Sequence, residues 1–307
     1  MGARILVAGS LNMDLRLSLQ RLPAGGETCF GRDYAYIPGG KGANQAVAAA
    51  RLGGSVTFCG RRGEDAHGAA LAEGLRRDGV DISFLHADPG SSTGLAVIPV
   101  EEGGQNRIMV FSGANMRVSV QDLCGALAGD YDAVITQLEI PLETVFALRR
   151  LTEERGIPLI LDAGPAMALE LERLRGMEIL SPNETETAAL TGMEVTDDAS
   201  ALGAAKVLFE RAQPRYVVLK LGGRGALLYG AQVRRFYPAC PVKAVDTTAA
   251  GDAFTAALTV KYIETGDIDA AMAYANLVGG LTVTRAGAQP SLPTAAQVEA
   301  FRQSLDL

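Results

Sequence analysis

"DAVITQLEIPLETVFALRRLTEERGIPLILDAG", residues 132–164, is the stretch that decides the fold. DAVITQLE and PLILDAG are nearly continuous apolar runs of strand length. PLETVFALRRLTEERG between them has helical composition and stops at Gly156, a residue that closes helices because it tolerates a left-handed backbone. A strand without polar alternation must be covered on both faces, so strand, helix and strand in this order read as a parallel βαβ unit.

The same rhythm extends in both directions. RILVAGS, SVTFCG, EILSPN, YVVLKLGG and ALLYG read as further strands, and GANQAVAAARLGG, AALAEGLRRDG, ASALGAAKVLFERAQ and GDAFTAALTVKYIETG as helices. The expectation is an α/β fold over residues 1–307, a doubly wound and mainly parallel sheet flanked by helices on both faces. TCFGRDYAYIPGG and GLAVIPVEEGGQNRIMVFSGAN break the rhythm and read as extended or hairpin strands. They are expected to form one small β lid, from about 14–38 and 93–113, inserted in a single domain.

Composition excludes several functions. Of 307 residues, 48% are hydrophobic and 21% charged, which is ordinary for a globular chain, and the net charge is -7. Basic residues form no run longer than a pair, so nucleic acid is not an expected partner. The apolar part of the N-terminus is too short for a signal peptide, and the uncharged run 270–284 falls short of a membrane span; a cytoplasmic location is expected. Cys29, Cys59, Cys124 and Cys240 stand far apart, which argues against zinc and for free thiols. His67, in GEDAHG, and His86, in the loop-like FLHADPGSS, read as surface residues.

Chemistry belongs at the carboxyl ends of parallel strands. After the first strand, Asn12 and Asp14 lie two apart and point to one side, a set suited to sugar hydroxyls, although a plain polar turn after a strand accounts for this segment more simply. PGGKGANQ leads glycines into a helix, where Lys41 and Asn44 share a face; it lacks the Walker spacing, and a tight turn with a solvated lysine also explains it. KLGGRGALLYG fails the dinucleotide pattern at Leu228. In SPNETETAAL, Asn183 and Glu186 fit a capping box, and they also fit a site for Mg²⁺ that takes most of its oxygens from water and phosphate.

AVDTTAAGDAF, residues 244–254, is different. Capping a helix does not require Ala249-Ala250-Gly251, but an anion approaching bare amides at a helix N-terminus does. A phosphoryl group in transfer fits, with Asp252 beside it as acceptor of a proton. The helix terminus is expected to depress the pKa of Asp252.

In order along the chain, GSLNMD, GGKGANQAVAAA, QLE, PNETE, KLGGRG, VDTTAAGDAF and TRAGAQPS resemble the ribokinase-like family of sugar kinases, most closely its ribose-phosphorylating branch. The resemblance implies ATP-dependent phosphorylation of D-ribose at the 5-hydroxyl. The alternatives are a kinase for deoxyribose, fructose or a keto-deoxy acid, or a non-catalytic sugar-binding protein on the same fold. It implies Asp252 as base, with the amides of Ala249, Ala250 and Gly251 as anion hole. It implies Asn12, Asp14, Gly40, Lys41, Asn44 and Glu139 around the sugar. ATP is expected on Lys220, Gly222, Gly225 and Asn276, with Asn183 and Glu186 serving phosphate and Mg²⁺, Glu186 through water. An activating K⁺ is implied at Asp246, Thr248, Thr282, Arg285, Gly287 and Ser291, partly through carbonyls. LDAGPA departs from the family's usual Asn-Pro-Ala-Pro run. A lid sheet with one bare face implies a homodimer.

Overall fold

The computed structural model describes residues 2–103 and 105–305; Gly104, inside the expected lid segment, lies outside them, as do residues 1, 306 and 307 of the expected domain. The first strand, β1 (Arg4–Ala8), runs through the middle of the molecule. Ile5 and Val7 enter one hydrophobic core and Leu6 and Ala8 a second on the opposite face. The chain then leaves this sheet. β2 (Asn12–Ser18) and β3 (Asp33–Gly39) pair antiparallel in a separate small sheet before α1 (Lys41–Arg51) returns to the main one. β4 (Ser55–Gly63), α2 (Ala66–Arg77) and β5 (Asp81–Asp88) extend the main sheet outward from β1, every pairing parallel.

β6 (Gly94–Val100) and β7 (Met109–Phe111) complete the small sheet in the order β3-β2-β6-β7. After α3 (Val120–Ala126), the chain crosses to the other side of β1. There β8 (Ala133–Gln137), α4 (Leu142–Arg155), β9 (Leu159–Asp162), β10 (Ile179–Ser181), α5 (Glu184–Thr191), α6 (Asp198–Ala212) and β11 (Tyr216–Lys220) continue the parallel array. β12 (Ala226–Gly230) and β13 (Arg234–Tyr237) close that edge antiparallel, giving the order β13-β12-β11-β10-β9-β8-β1-β4-β5 among the described residues. α7 (Ala250–Thr265), α8 (Ile268–Thr282) and α9 (Ala295–Ser304) end the chain.

The expected fold class is therefore observed, a mainly parallel sheet with helices on both faces and a small inserted sheet. Fully buried Ile5, Leu6, Phe58, Ile135 and Ile160 fill the two cores, each burial stabilising by about 1.5–3 kcal/mol. α7 and α8 pack against each other, and both carry small buried side chains, Ala253, Ala256 and Ala257 on one and Ala271 and Ala275 on the other. The uncharged run 270–284 belongs largely to α8, and among the described residues no helix is long and apolar enough to cross a membrane. The four cysteines are free.

His86 is the first correction. It lies on β5 rather than in a loop, and it is exposed. β5 is an edge strand with one solvated face, so its apolar residues do not form the continuous run that marks the inner strands.

From β1 the chain winds outward through β4 and β5, and from its neighbour β8 it winds the other way. The crevice outside the carboxyl ends of these two strands is the switch point, where open α/β sheets bind ligands.

Candidate active site

Ser10 follows β1 and Glu139 follows β8, and the Ser10 hydroxyl donates to the Glu139 carboxylate across the switch point. Glu139 Oε2 also accepts from the Lys41 amide at 3.2 Å, so Glu139 anchors the start of α1. Gly40, just before that helix, has φ 88°, and a Cβ there would stand 2.6 Å from the Asn12 amide. Only glycine lets β2 and α1 meet so closely. Asp14 lies against Gly39, where a Cβ would come within 2.3 Å of its Oδ2. Burial, then the charges of Glu139 and Asp252, push the Asp14 carboxyl up to about 7. Asn12 is buried and its Oδ1 accepts from Asn115 Nδ2 at 2.7 Å; Asn115 Oδ1 accepts in turn from the Leu11 amide at 2.9 Å. Asn115 was not foreseen, since nothing in SGAN separates it from an ordinary turn.

Lys41 and Asn44 do share a face of α1, and that face meets Asp252. Asn44 Nδ2 donates to Asp252 Oδ2 at 2.8 Å, and Lys41 Nζ stands 3.7 Å from Oδ1. Asn44 Oδ1 is buried without a protein partner, an acceptor set beside the carboxylate and open to a donor from elsewhere.

Asp252 stands in the first turn of α7 behind Ala249, which caps the helix with φ 59° and no side-chain hydrogen bond. The Ala250 amide donates to Thr247 O at 3.3 Å, and those of Ala249 and Gly251 lie at the helix mouth. The expected depression of the Asp252 pKa is corrected. Burial raises it, Asp162 and Glu139 raise it further, and Lys41 and Asn44 only partly oppose them. The helix terminus acts locally, whereas the loss of solvent and two neighbouring carboxylates outweigh it.

On the far side of Asp252 opens a cleft of about 770 Å³. Asn183, Lys220, Gly222, Gly225, Gly251 and Asn276 all line it, so the residues expected to hold nucleotide are brought together. Asn183 and Glu186 form the capping box: Glu186 Oε2 accepts from the Asn183 amide at 2.7 Å and Asn183 Oδ1 from the Glu186 amide at 2.8 Å. Glu186 is buried one layer behind the cleft, with Oε1 toward Gly164 and Lys41. Asn276 spends its amide nitrogen on Tyr237 O and Pro238 O at 3.2 and 3.3 Å, which holds the end of β13 next to the segment 239–242 that lines the cleft. Lys220 Nζ donates to Asp162 Oδ1 at 2.8 Å, and Gln45 Nε2 to Asp162 Oδ2 at 2.8 Å. Asp162 and Gln45 were not singled out in the sequence, although Asp162 is the second residue of the LDAGPA departure.

Of the residues expected around a monovalent cation, Asp246, Thr248 and Gly287 are tied together by hydrogen bonds. Asp246 accepts from the Thr248 amide at 2.9 Å, the Thr248 hydroxyl at 2.6 Å and the Gly287 amide at 2.9 Å, tying the loop before α7 to the loop after α8. Burial pushes the Asp246 carboxyl up, but these hydrogen bonds outweigh it and hold it below the ordinary range. Thr282 O accepts from the Arg285 amide, and Ser291 Oγ donates to Ala288 O. Among the described residues no group of three or more His, Cys, Asp or Glu is placed to hold a metal. A Mg²⁺ with one protein carboxylate and a K⁺ among carbonyls remain compatible with these donors.

The profile described as pfkB family carbohydrate kinase matches residues 3–295. The chain is 40% identical over 295 residues to the bifunctional ribokinase/ribose-5-phosphate isomerase A of Fructilactobacillus sanfranciscensis; the match covers 95% of this chain and 54% of that protein, about half its length. It is 38% identical to the ribokinase of Bacillus subtilis, over 96% of this chain and 98% of that one. Among solved structures, the Arabidopsis thaliana ribokinase complexed with ribose and ATP superposes with a TM-score of 0.91 at 34% identity, covering 98% of this chain and 99% of that one. With its switch-point crevice, its glycine-rich helix mouth and a buried aspartate lining the cleft, the chain belongs to the pfkB family of carbohydrate kinases.

Proposed function

We propose that this chain transfers the terminal phosphoryl group of ATP to the 5-hydroxyl of D-ribose. The observation that carries the reading is the position of Asp252, buried between the polar set Asn12, Asp14 and Asn44 on one side and the cleft of about 770 Å³ on the other. The ribokinase relatives, and the Arabidopsis structure that holds ribose and ATP, support it.

In this reading Asn12, Asp14 and the unpartnered Asn44 Oδ1 hold the sugar hydroxyls. Asp252 takes the proton of the 5-hydroxyl as its oxygen bonds to phosphorus, while the bond from that phosphorus to the departing ADP oxygen breaks. The amides of Ala249, Ala250 and Gly251 receive the charge that spreads over the equatorial oxygens. ATP lies over Gly222 and Gly225 with its base toward Asn276, and Lys41 faces the transfer path. Asn183 and, through water, Glu186 would hold Mg²⁺, which when bound neutralises charge across the phosphates. Asp246, Thr248, Thr282, Arg285, Gly287 and Ser291 would hold K⁺, largely through carbonyls, in the loops that set the entrance of α7. An ATP-consumption assay over ribose, 2-deoxyribose and fructose tests the assignment; ribose is expected to give the highest kcat/KM. A higher value for another sugar would reassign the substrate, and no turnover with any would leave a sugar-binding protein.

Asp14 makes ribose binding depend on pH. An ionised carboxylate accepts hydroxyl protons and a neutral one largely does not. With its pKa raised to about 7, Asp14 is ionised above that value, so the KM for ribose should fall as pH rises through 7. At pH 6 the KM should be about tenfold higher than at pH 8. A flat KM profile in wild type, or the same slope in Asp14→Asn, would contradict this.

This reading treats residues 1–307 as one kinase domain with the small sheet as a lid on the sugar. Its register puts Asn12 and Asp14 on one face and the row Tyr36, Leu15, Val97, Met109 on the other. Tyr34, Tyr36, Met109 and Phe111 are exposed there, and a second copy of the chain would cover them. Light scattering should show a dimer for wild type and a monomer for Tyr36→Asp; a monomeric wild type would refute the pairing.

A further inference from the structure

We propose that Asp162 is a positioning residue for phosphoryl transfer: its buried carboxylate fixes Lys220 beside the first turn of α7 and turns the Gln45 amide nitrogen toward Asp252. The inference rests on the kinase reading above. Asp162 ends β9 and has no exposed surface. Its two oxygens do separate things. Oδ1 accepts from Lys220 Nζ at 2.8 Å, and Oδ2 accepts from Gln45 Nε2 at 2.8 Å and the Thr255 hydroxyl at 3.4 Å.

The Lys220 end matters because of where its ammonium is held. A Cβ built on Gly251 would have Lys220 Nζ as its nearest neighbour, at 3.7 Å, so the charge stands at the mouth of α7 inside the cleft. A lysine is a point charge on a flexible stem, and without a fixed anion its position is poorly defined. Asp162 supplies that anion from beneath.

The Gln45 end sets a direction. A carboxylate only accepts hydrogen bonds, so Gln45 must present its nitrogen to Asp162. That same Nε2 stands 3.3 Å from Asp252 Oδ1, and Gln45 Oε1, turned the other way, accepts from Gln137 Nε2 at 2.7 Å. An amide at position 162 would offer donors as well. Gln45 could then reverse and set its oxygen against Asp252, removing a donor from the base.

Charged groups reach this pair from several elements: Lys41 on α1, Asp252 on α7, Lys220 on β11, Glu186 on α5 and Glu139 after β8. Burial raises the Asp162 carboxyl, and the charges of Lys220 and Lys41 with the hydrogen bonds from Lys220 and Thr255 bring it below the ordinary range, so it stays ionised. A buried pair of this kind is weak as a source of stability, since apolar residues of similar size serve as well or better. Its placement between phosphate cradle and base gives it a different use.

The experiment compares wild type with Asp162→Asn, Lys220→Met and the double variant in full-length protein. It reads kcat, the KM for each substrate, the melting temperature, and the affinity for a β,γ-imido ATP analogue by calorimetry. Each single change should lower kcat about 10²-fold and weaken the analogue about tenfold, with the KM for ribose changed less than about threefold. Because the two residues act as one unit, the double variant should fall within about threefold of the worse single variant. A merely structural Asp162 would lower the melting temperature while leaving analogue affinity intact, and its effect on kcat would multiply with that of Lys220→Met to about 10⁴; either result overturns the proposal. Should Asp162→Asn not fold, unchanged analogue affinity in Lys220→Met overturns it equally. Absence of wild-type turnover with every sugar would instead remove the kinase reading, leaving analogue affinity to judge the pair.

Discussion

Asp252→Asn should lower kcat by about 10³-fold, the scale on which a positioned proton acceptor acts, while ribose binding changes less than about threefold. The amide keeps the size of the carboxylate and can still meet Asn44 Nδ2, 2.8 Å away in the parent, so the sugar side is preserved. What it cannot do is take a proton. Burial, Asp162 and Glu139 hold the Asp252 carboxyl above the ordinary aspartate range. The base must be ionised to act, so wild-type kcat at saturating ribose should rise with pH across that raised pKa, and the variant should lose this limb. The linkage to stability has the matching sign. A carboxyl whose pKa is raised on folding destabilises the native state once pH exceeds its unfolded value. At pH 8 the variant should therefore melt no lower than wild type. Retained turnover would remove Asp252 from its role, and a collapsed melting temperature would make it structural.

Gly251→Ala should separate folding from activity just as sharply. At Gly40 and Gly225 an added Cβ would strike backbone, 2.6 Å from the Asn12 amide and 1.9 Å from Tyr237 O, so the fold itself requires glycine there. Gly251 is different: nothing stands closer to an added Cβ than Lys220 Nζ at 3.7 Å, an ordinary contact. The fold does not need this glycine. Alanine in the first turn of α7 should leave stability unchanged or raise it by up to about 1 kcal/mol. Yet the methyl group would enter the space assigned to the transferring phosphate and should cut kcat/KM for ATP by about 10²-fold. Urea unfolding and steady-state kinetics on the same preparation check both halves. An alanine variant with wild-type kinetics would place the phosphate elsewhere.

Much of this arrangement was legible along the chain because its signals are local. The βαβ rhythm of residues 132–164 needs only composition and Gly156, and the Asn183–Glu186 capping box needs only a spacing of three. Lys41 and Asn44 could be placed on one face of a helix, though not opposite Asp252, which lies 208 residues beyond Asn44. The rest depends on such distant meetings. Gln45 and Asp162 are 117 residues apart, and neither belongs to a motif that names the other. The Asp252 pKa was misjudged for the same reason: the helix end is written beside it, whereas Asp162 arrives from the end of β9 and Glu139 from the segment after β8. Edge strands β5 and β13 escaped because a half-solvated strand lacks the apolar run that marks the inner ones.

The most direct measurement is a crystal structure with ribose and a non-hydrolysable ATP analogue bound together. The account predicts the ribose 5-hydroxyl within hydrogen-bond reach of Asp252, in line with the terminal phosphorus, and that phosphate resting on the amide of Gly251. A terminal phosphate lodged away from the mouth of α7, or a sugar whose 5-hydroxyl points away from Asp252, would contradict it.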